Sequence, residues 1–295
     1  MSLRSAAMLL PCTALITLAA CAKSESGTVT DSAAPAAATA SPSVEPTIVT
    51  VVARDYSYDA PDTITAGIVS LRLLNKGPEM HHIQLLRFKD GKTYADFAAG
   101  MKDMKPDAPL PPWAELVVGP NAPADTTNGQ VVTQELVPGS YALLCVIPSP
   151  DLVPHFAKGM VRPLTVIPAT GPAATVPAAD IRVTMSDYAW DVQPVITAGK
   201  HMVRLENTAE QAHEMLIVKL APGKTAMEFV NWAEKMQGPP PAMPMGGSTA
   251  MAKGGVAYLP IDLAPGEYAL ICFIPDAKDG KPHVAHGMVK SFTVS

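Results

Sequence analysis

The chain has 295 residues, 48% of them hydrophobic and 17% charged, with a formal net charge of -5 at neutral pH. This is the composition of a globular protein with room for two domains of ordinary size, and it excludes a chain too polar to collapse. The 22 basic residues are scattered rather than gathered into a stripe able to neutralise phosphates, which excludes nucleic acid as the expected partner.

Residues 1–21 read as a targeting signal. Arg4 supplies the positive start, and Ala6 to Leu18 form an apolar segment too short, and too broken by Pro11, to span a membrane. Leu18-Ala19-Ala20-Cys21 resembles a bacterial lipobox, which implies cleavage before Cys21 and lipidation of its sulfur. An ordinary secretory signal cut nearby is the other reading. In both, the mature protein is exported to the periplasm or cell envelope, and in the first it is held at a membrane through Cys21. Residues 22–46 are Ala, Ser, Thr and Pro with almost nothing large and apolar, the composition of a flexible tether reaching ~25–30 Å.

The rest is an internal repeat. Residues 47–168 align with residues 180–295, and an Ala/Pro/Thr linker, 169–179, lies between them. Asp55-Tyr56-Ser57-Tyr58 matches Asp187-Tyr188-Ala189-Trp190, Thr65-Ala66-Gly67 matches Thr197-Ala198-Gly199, and Gly91-Lys92-Thr93 matches Gly223-Lys224-Thr225. Each unit is long enough to bury its own core, so a tandem pair of domains is expected rather than a solenoid.

Period-two alternation predicts strands at Ile48–Ala53, Val69–Leu73, Ile83–Leu86, Val131–Leu136, Tyr141–Ile147 and Leu164–Ile167, separated by Pro, Gly and Asn. An all-β sandwich follows. One short helix interrupts each unit: Thr225 and Glu228 have the spacing of a capping box, and Thr93 and Asp96 open its counterpart. Pro-rich loops, Pro106–Pro112 and Pro239–Pro244, should end both helices.

The chemistry concentrates in one stretch that occurs twice, PGSYALLCVIPSPDLVPHFAKGM at Pro138–Met160 and PGEYALICFIPDAKDGKPHVAHGM at Pro265–Met288. Beyond the signal, Cys145 and Cys272 are the only thiols, one per unit. A buried small hydrophobe and a disulfide between the two are the alternatives to a ligand role. Four of the seven histidines, His81, His155, His213 and His283, fall at matching positions. Alternation puts His81 on the inward face with Ile83 and Leu85, and His82 on the other; His213 likewise goes inward, with Glu214 in the His82 position. His82, His201 and His286 read as surface residues. Two His, a Cys and a Met recurring in this order form a soft metal-ligand set of the type 1 copper kind.

The order of a His, a PGxYxxxC strand, then Pro-His and Gly-Met resembles the cupredoxins, the plastocyanin and azurin family. The resemblance covers nearly the whole mature chain in two copies. It implies two tandem Greek-key β-sandwich domains, each with a type 1 copper site: His81, Cys145, His155 and Met160 in the first, His213, Cys272, His283 and Met288 in the second. The loops from Cys to the second His are longer than in small blue copper proteins, though copper nitrite reductases have comparable ones. The neighbours of the cysteines, Leu144, Val146, Ile271 and Phe273, include no His to couple a second copper centre, and no hydrolytic motif occurs elsewhere, so an enzyme is not expected.

The function expected is electron transfer with an unidentified redox partner. Two others stay open. Met236, Met243, Met245 and Met251, in a Pro/Gly-rich loop, would suit a copper carrier or store exchanging metal with a donor or acceptor protein. A metal-free pair of sandwiches would be a tethered binding or scaffold module.

Overall fold

The alternating stretches become strands because each offers one apolar face to a core and one polar face to water or to a neighbouring strand. The computed structural model of the chain describes residues 44–101 and 109–295. The signal, Cys21, most of the tether and the start of the Pro106–Pro112 loop lie outside the described residues.

The first half contains β1 (Thr47–Arg54), β2 (Ser57–Asp59), β3 (Thr63–Thr65), β4 (Gly67–Asn75), β5 (His81–His82), β6 (Gln84–Phe88), α1 (Tyr94–Met101), β7 (Ala114–Val117), β8 (Pro120–Ala122), β9 (Thr126–Leu136), β10 (Gly139–Leu144) and β11 (Val161–Ile167). The second contains β12 (Ile181–Ser186), β13 (Ala189–Gln193), β14 (Gly199–Asn207), β15 (His213–Leu220), α2 (Ala226–Ala233), β16 (Ala242–Met251), β17 (Val256–Leu263), β18 (Gly266–Ile271) and β19 (Val289–Val294). All-β sandwich architecture with a short helical insertion in each half is what these elements build. The capping box predicted at α2 is present: Glu228 N–H donates to Thr225 Oγ1 at 3.2 Å and Thr225 N–H donates to Glu228 Oε2 at 2.8 Å. Thr93 and Asp96 exchange the equivalent bonds at α1.

Two of the four hydrophobic clusters among the described residues hold the cysteines. One gathers Val51, Leu71, Leu73, Ile83, Leu85, Tyr141, Leu143, Cys145 and Met160, all from the first half. The other gathers Val183, Met185, Leu205, Met215, Ile217, Leu259, Tyr268, Cys272 and Met288, and it also takes Val118 and Val132 from the first half. In both, a core tyrosine pins the turn before its own strand: the Tyr141 hydroxyl donates to Val137 O and that of Tyr268 to Ala264 O, each at 2.8 Å.

The sheets do not respect the repeat boundary. An eight-stranded sheet runs β13-β12-β14-β17-β9-β4-β1-β2, joined across the halves where Tyr258 of β17 pairs with Thr133 of β9. A six-stranded sheet runs β19-β18-β15-β16-β8-β5, so β5 and β8 of the first half extend a sheet otherwise built by the second. Only the sheet β3-β11-β10-β6-β7 belongs to one half. Side chains reinforce the join: Gln84 Nε2 donates to Ala250 O at 3.1 Å, Asn121 Nδ2 to Ser248 O at 2.7 Å, and Gly119 N–H to Thr249 Oγ1 at 2.7 Å.

The Pro/Gly-rich segment after α2 is shorter than expected, because Ala242–Met251 is strand β16, paired to β15. Its Pro and Gly residues are accommodated by register shifts rather than by a free loop. Met243 is exposed, whereas Met251 is buried in the second core and Met245 packs against it. The four methionines therefore do not gather into one flexible ligand loop.

Gly119 and Gly247 occupy equivalent places, where a Cβ would collide with the carbonyl oxygens of Ile83 and Met215, the residues two after the inward histidines. Gly119→Ala is expected to destabilise the fold by about 2–3 kcal/mol, since the obstacle is backbone that cannot rotate aside. Urea unfolding of the metal-free protein measures this, and a midpoint equal to that of the parent would refute the close approach.

Candidate metal centres

The first inward histidine of each half is delivered by a turn that an asparagine organises. Asn75 Nδ2 donates to Glu79 O at 2.7 Å while its Oδ1 accepts from Gly77 N–H at 2.9 Å; Asn207 repeats the arrangement with Gln211 O at 2.8 Å and Ala209 N–H at 3.0 Å. Both turns release the chain into the strands that begin at His81 and His213.

The cysteine and second histidine come from the long loop, which doubles back on itself. Past Cys145, an isolated bridge pairs Pro148 with Pro154, His155 N–H donates to Ile147 O at 2.9 Å, and Phe156 N–H to Cys145 O at 2.8 Å. The second half repeats this with Pro275 and Pro282, His283 N–H to Ile274 O at 2.9 Å, and Val284 N–H to Cys272 O at 2.9 Å. The extra residues are thus a hairpin excursion, and the histidine returns to the cysteine whatever the excursion's length. A short 3-10 turn then begins at each of these histidines, and a left-handed glycine, Gly159 at φ 112° or Gly287 at φ 97°, ends it. That turn brings Met160 and Met288 back to donate N–H to His155 O and His283 O, each at 3.0 Å.

The result is two buried clusters, His81/Cys145/His155 and His213/Cys272/His283, in each of which one donor atom per residue lies within 4.8 Å of the others. All six residues have no exposed surface, and neither do Met160 and Met288, which lie in the same cores as Cys145 and Cys272. In the first cluster, the His155 Nδ1 stands 3.4 Å from Cys145 Sγ and 3.0 Å from His81 Nδ1. In the second, Cys272 Sγ is 3.8 Å from His213 Nδ1 and 3.5 Å from His283 Nδ1. Every ring turns Nδ1 inward.

The opposite nitrogens face carboxylates that the sequence did not single out. His81 Nε2 is 3.3 Å from Asp55 and His213 Nε2 is 3.1 Å from Asp187, equivalent residues. His155 Nε2 is 2.8 Å from Glu79 Oε2. The second half reverses the plan: Gln211 stands where Glu79 would, and the carboxylate, Asp276, sits four residues after the cysteine, where the first half has Ser149. Asp276 is engaged by Tyr188 and Gln211, which hold its carboxyl well below the usual range, and it lies 3.9 Å from His283 Nε2, leaving that buried nitrogen without a hydrogen bond. Burial opposes the charge on Glu79, but hydrogen bonds from His155 and Tyr56 outweigh it and lower its pKa. Alignment of the repeats already contains this exchange, as Glu79 against Gln211 and Ser149 against Asp276.

His82 is buried, not at the surface, because Val146 and Asn121 of its own half stand against its ring. Its Nε2 accepts the N–H of Val146, and Glu214 Oε1 accepts that of Phe273, both at 2.9 Å. The residue beside each inward histidine therefore fixes the backbone beside each cysteine. His201, half-buried, pairs with Asp180 at 2.6 Å, and exposed His286 with Asp279 at 3.1 Å.

Burial sets the protonation states. It pushes the Cys145 thiol up to about 12 and raises that of Cys272 as well. It lowers His81 and His213, takes His283 to about 4 and His82 to about 3, and raises the Glu214 carboxyl to about 7. At His81, His213 and His283 this leaves neutral imidazoles beside un-ionised thiols.

No protein-family model and no curated protein sequence matches the chain. Among solved structures, an auracyanin from the photosynthetic bacterium Roseiflexus castenholzii is 20% identical over 39% of this chain and 94% of its own, with a TM-score of 0.29. A multicopper oxidase is 17% identical over 84% of this chain and 88% of its own, TM-score 0.22. A blue copper oxidase from Nitrosomonas europaea is 12% identical over 85% and 86%, TM-score 0.25. The all-β fold rests on the strands described above, and at these TM-scores the neighbours assign this chain no role. They correct one expectation: oxidases stand among them, so the argument from the residues beside Cys145 and Cys272 does not exclude an enzyme.

Buried neutral histidines make the metal-free fold acid-sensitive. His82 and His283 protonate near 6.5 when unfolded but only near 3 and 4 when folded, so below about pH 6.5 the unfolded state binds protons first. Their contribution is complete above that pH and is lost as pH falls toward 4. Urea midpoints measured from pH 7.5 to 4 should decline, and His82→Gln, which keeps an acceptor for Val146 N–H, should flatten part of the decline. A pH-independent midpoint would contradict the burial.

Proposed function

We propose that the chain is an exported, lipid-anchored copper protein that carries single electrons through one type 1 site in each half. The observation that supports this above all is the pair of sealed His/Cys/His clusters, in which the Nδ1 atoms of His155, His213 and His283 stand 3.4 to 3.8 Å from sulfur. Metal bonds of roughly 2.0 Å to nitrogen and 2.3 Å to sulfur, opened to about 120°, put N and S roughly 3.7 Å apart. The separations of 3.4 to 3.8 Å found here fit one small ion in each cluster without moving the backbone. His81, Cys145 and His155 would hold the first ion and His213, Cys272 and His283 the second, with Met160 and Met288, buried in the same cores, as further soft donors.

Bound in such a set, copper supplies a one-electron couple. The chain's own part is to exclude water, since all eight residues are buried, and to present imidazoles already neutral. Because burial holds the thiols protonated, uptake of the ion must displace the Cys proton, and affinity should rise with pH. Asp55, Asp187 and Glu79 orient the rings from behind by accepting from Nε2–H, which fixes the tautomer that leaves Nδ1 free. The scattered methionines give the carrier reading no shared loop to rest on.

With Cu(II), an intense thiolate-to-copper band in the visible and close to two coppers per chain are expected. Cys145→Ser should remove about half of the band, and Met160→Leu should keep the colour while raising the reduction potential of the first site. Uptake of copper without a visible thiolate band would rule the reading out. Glu79→Gln removes the charge behind His155 alone, so it should raise the first site's potential and leave the second unchanged, as voltammetry would show.

The anchor is tested separately. Cys21→Ser should release the protein from membranes into the soluble exported fraction, and unchanged association would reject lipidation.

A further inference from the structure

Each cluster sends two arms into the join between the halves. In the first half both end at His82: it follows His81 in β5, and its Nε2 accepts the N–H of Val146, which follows Cys145, at 2.9 Å. In the second half both end at Glu214: it follows His213 in β15, and its Oε1 accepts the N–H of Phe273, which follows Cys272, at 2.9 Å. Two residues span the space between. Asn121 of β8 is paired with His82 of β5, and its side chain hydrogen-bonds the His82 ring. Asn121 Nδ2 donates to Ser248 O at 2.7 Å, and Ser248 Oγ accepts the N–H of Met215, the residue after Glu214, at 3.1 Å. Asn121 is 2% exposed and Ser248 has no exposed surface.

An unbroken run of covalent and hydrogen bonds thus leads from one cysteine to the other. The strands it crosses stand in the order β5-β8-β16-β15, so its outer strands are three strand spacings, ~15 Å, apart. Over such a span an electron tunnels far faster along bonds than across packed but unbonded atoms, and a dry, fixed path leaves little solvent to reorganise. We propose that His82, Asn121, Ser248 and Glu214 carry one electron between the two clusters when each holds copper. Cu(I) in one is oxidised to Cu(II), Cu(II) in the other is reduced to Cu(I), and no proton moves and no bond breaks. The proposal rests on the copper reading given above and goes beyond it, since an electron taken up at either half could then leave from the other.

The test uses the full chain with both sites filled and Met160→Leu as background, which offsets the two potentials. Pulse radiolysis supplies less than one electron per chain, and freeze-quenched electron paramagnetic resonance follows each Cu(II) signal. Electrons should redistribute toward the first site with a rate constant independent of protein concentration. Ser248→Ala should slow that step at least fivefold while the thiolate bands and both potentials keep their background values. Gln84→Leu, which breaks a hydrogen bond between the halves off this path, should not slow it. In the metal-free chain, Ser248→Ala should also speed deuterium exchange at the Met215 N–H. A rate that scales with protein concentration, a rate or a Met215 exchange unchanged by Ser248→Ala, or equal slowing by Gln84→Leu would overturn the proposal and leave the copper sites standing. Absence of a thiolate band would overturn the copper reading itself, and this proposal with it. Should Ser248→Ala fail to fold, Asn121→Ala takes its place in the rate measurement with the same two outcomes.

Discussion

Four backbone hydrogen bonds around each cysteine hold the rest in place. Cys145 N–H reaches Met160 O at 3.1 Å, its carbonyl takes Phe156 N–H, His155 N–H reaches Ile147 O, and Met160 N–H closes on His155 O; the second half repeats them from Cys272 N–H to Met288 O at 3.3 Å onward. None depends on a particular side chain. They convert a loop of variable length into a fixed frame, so the cysteine, histidine and methionine arrive together in a core that packing has already dried. Burial then keeps the imidazoles of His81, His213 and His283 neutral and the thiols protonated.

What could be read from the sequence is what is local. Strand periodicity, the Thr225–Glu228 capping box and the inward register of His81 and His213 depend on residues a few positions apart, and the repeat supplied each of them twice. The grouping of the histidines with the cysteines came from order and from likeness to a known pattern, and the hairpin return of the long loop is the part that spacing alone could not show. The burial of His82 was missed because the groups against its ring, Asn121 and Val146, lie far along the chain from it. Strand β16 was missed because two glycines and a proline read as a loop, whereas register shifts in the pairing with β15 absorb them. The enzyme exclusion failed for another reason: it rested on what two neighbouring residues are not.

The halves resemble each other in backbone and differ in charge. A carboxylate stands behind the second histidine in both, but it comes from the turn before β5 in one and from the loop after β18 in the other, and only Glu79 is within hydrogen-bonding reach. Beside the cysteines, a neutral imidazole at His82 answers a titratable carboxyl at Glu214. Two clusters with the same His/Cys/His side chains therefore sit in two different electrostatic fields.

Strand β5 carries a cluster residue of the first half at the margin of a sheet that the second half builds. A single half cut out at residues 169–179 would bare the flanks of β9 and β17 and the broken ladder between β8 and β16, each an open row of amides and carbonyls that invites another chain to pair. The two halves are held as one body by the edges each conceals for the other.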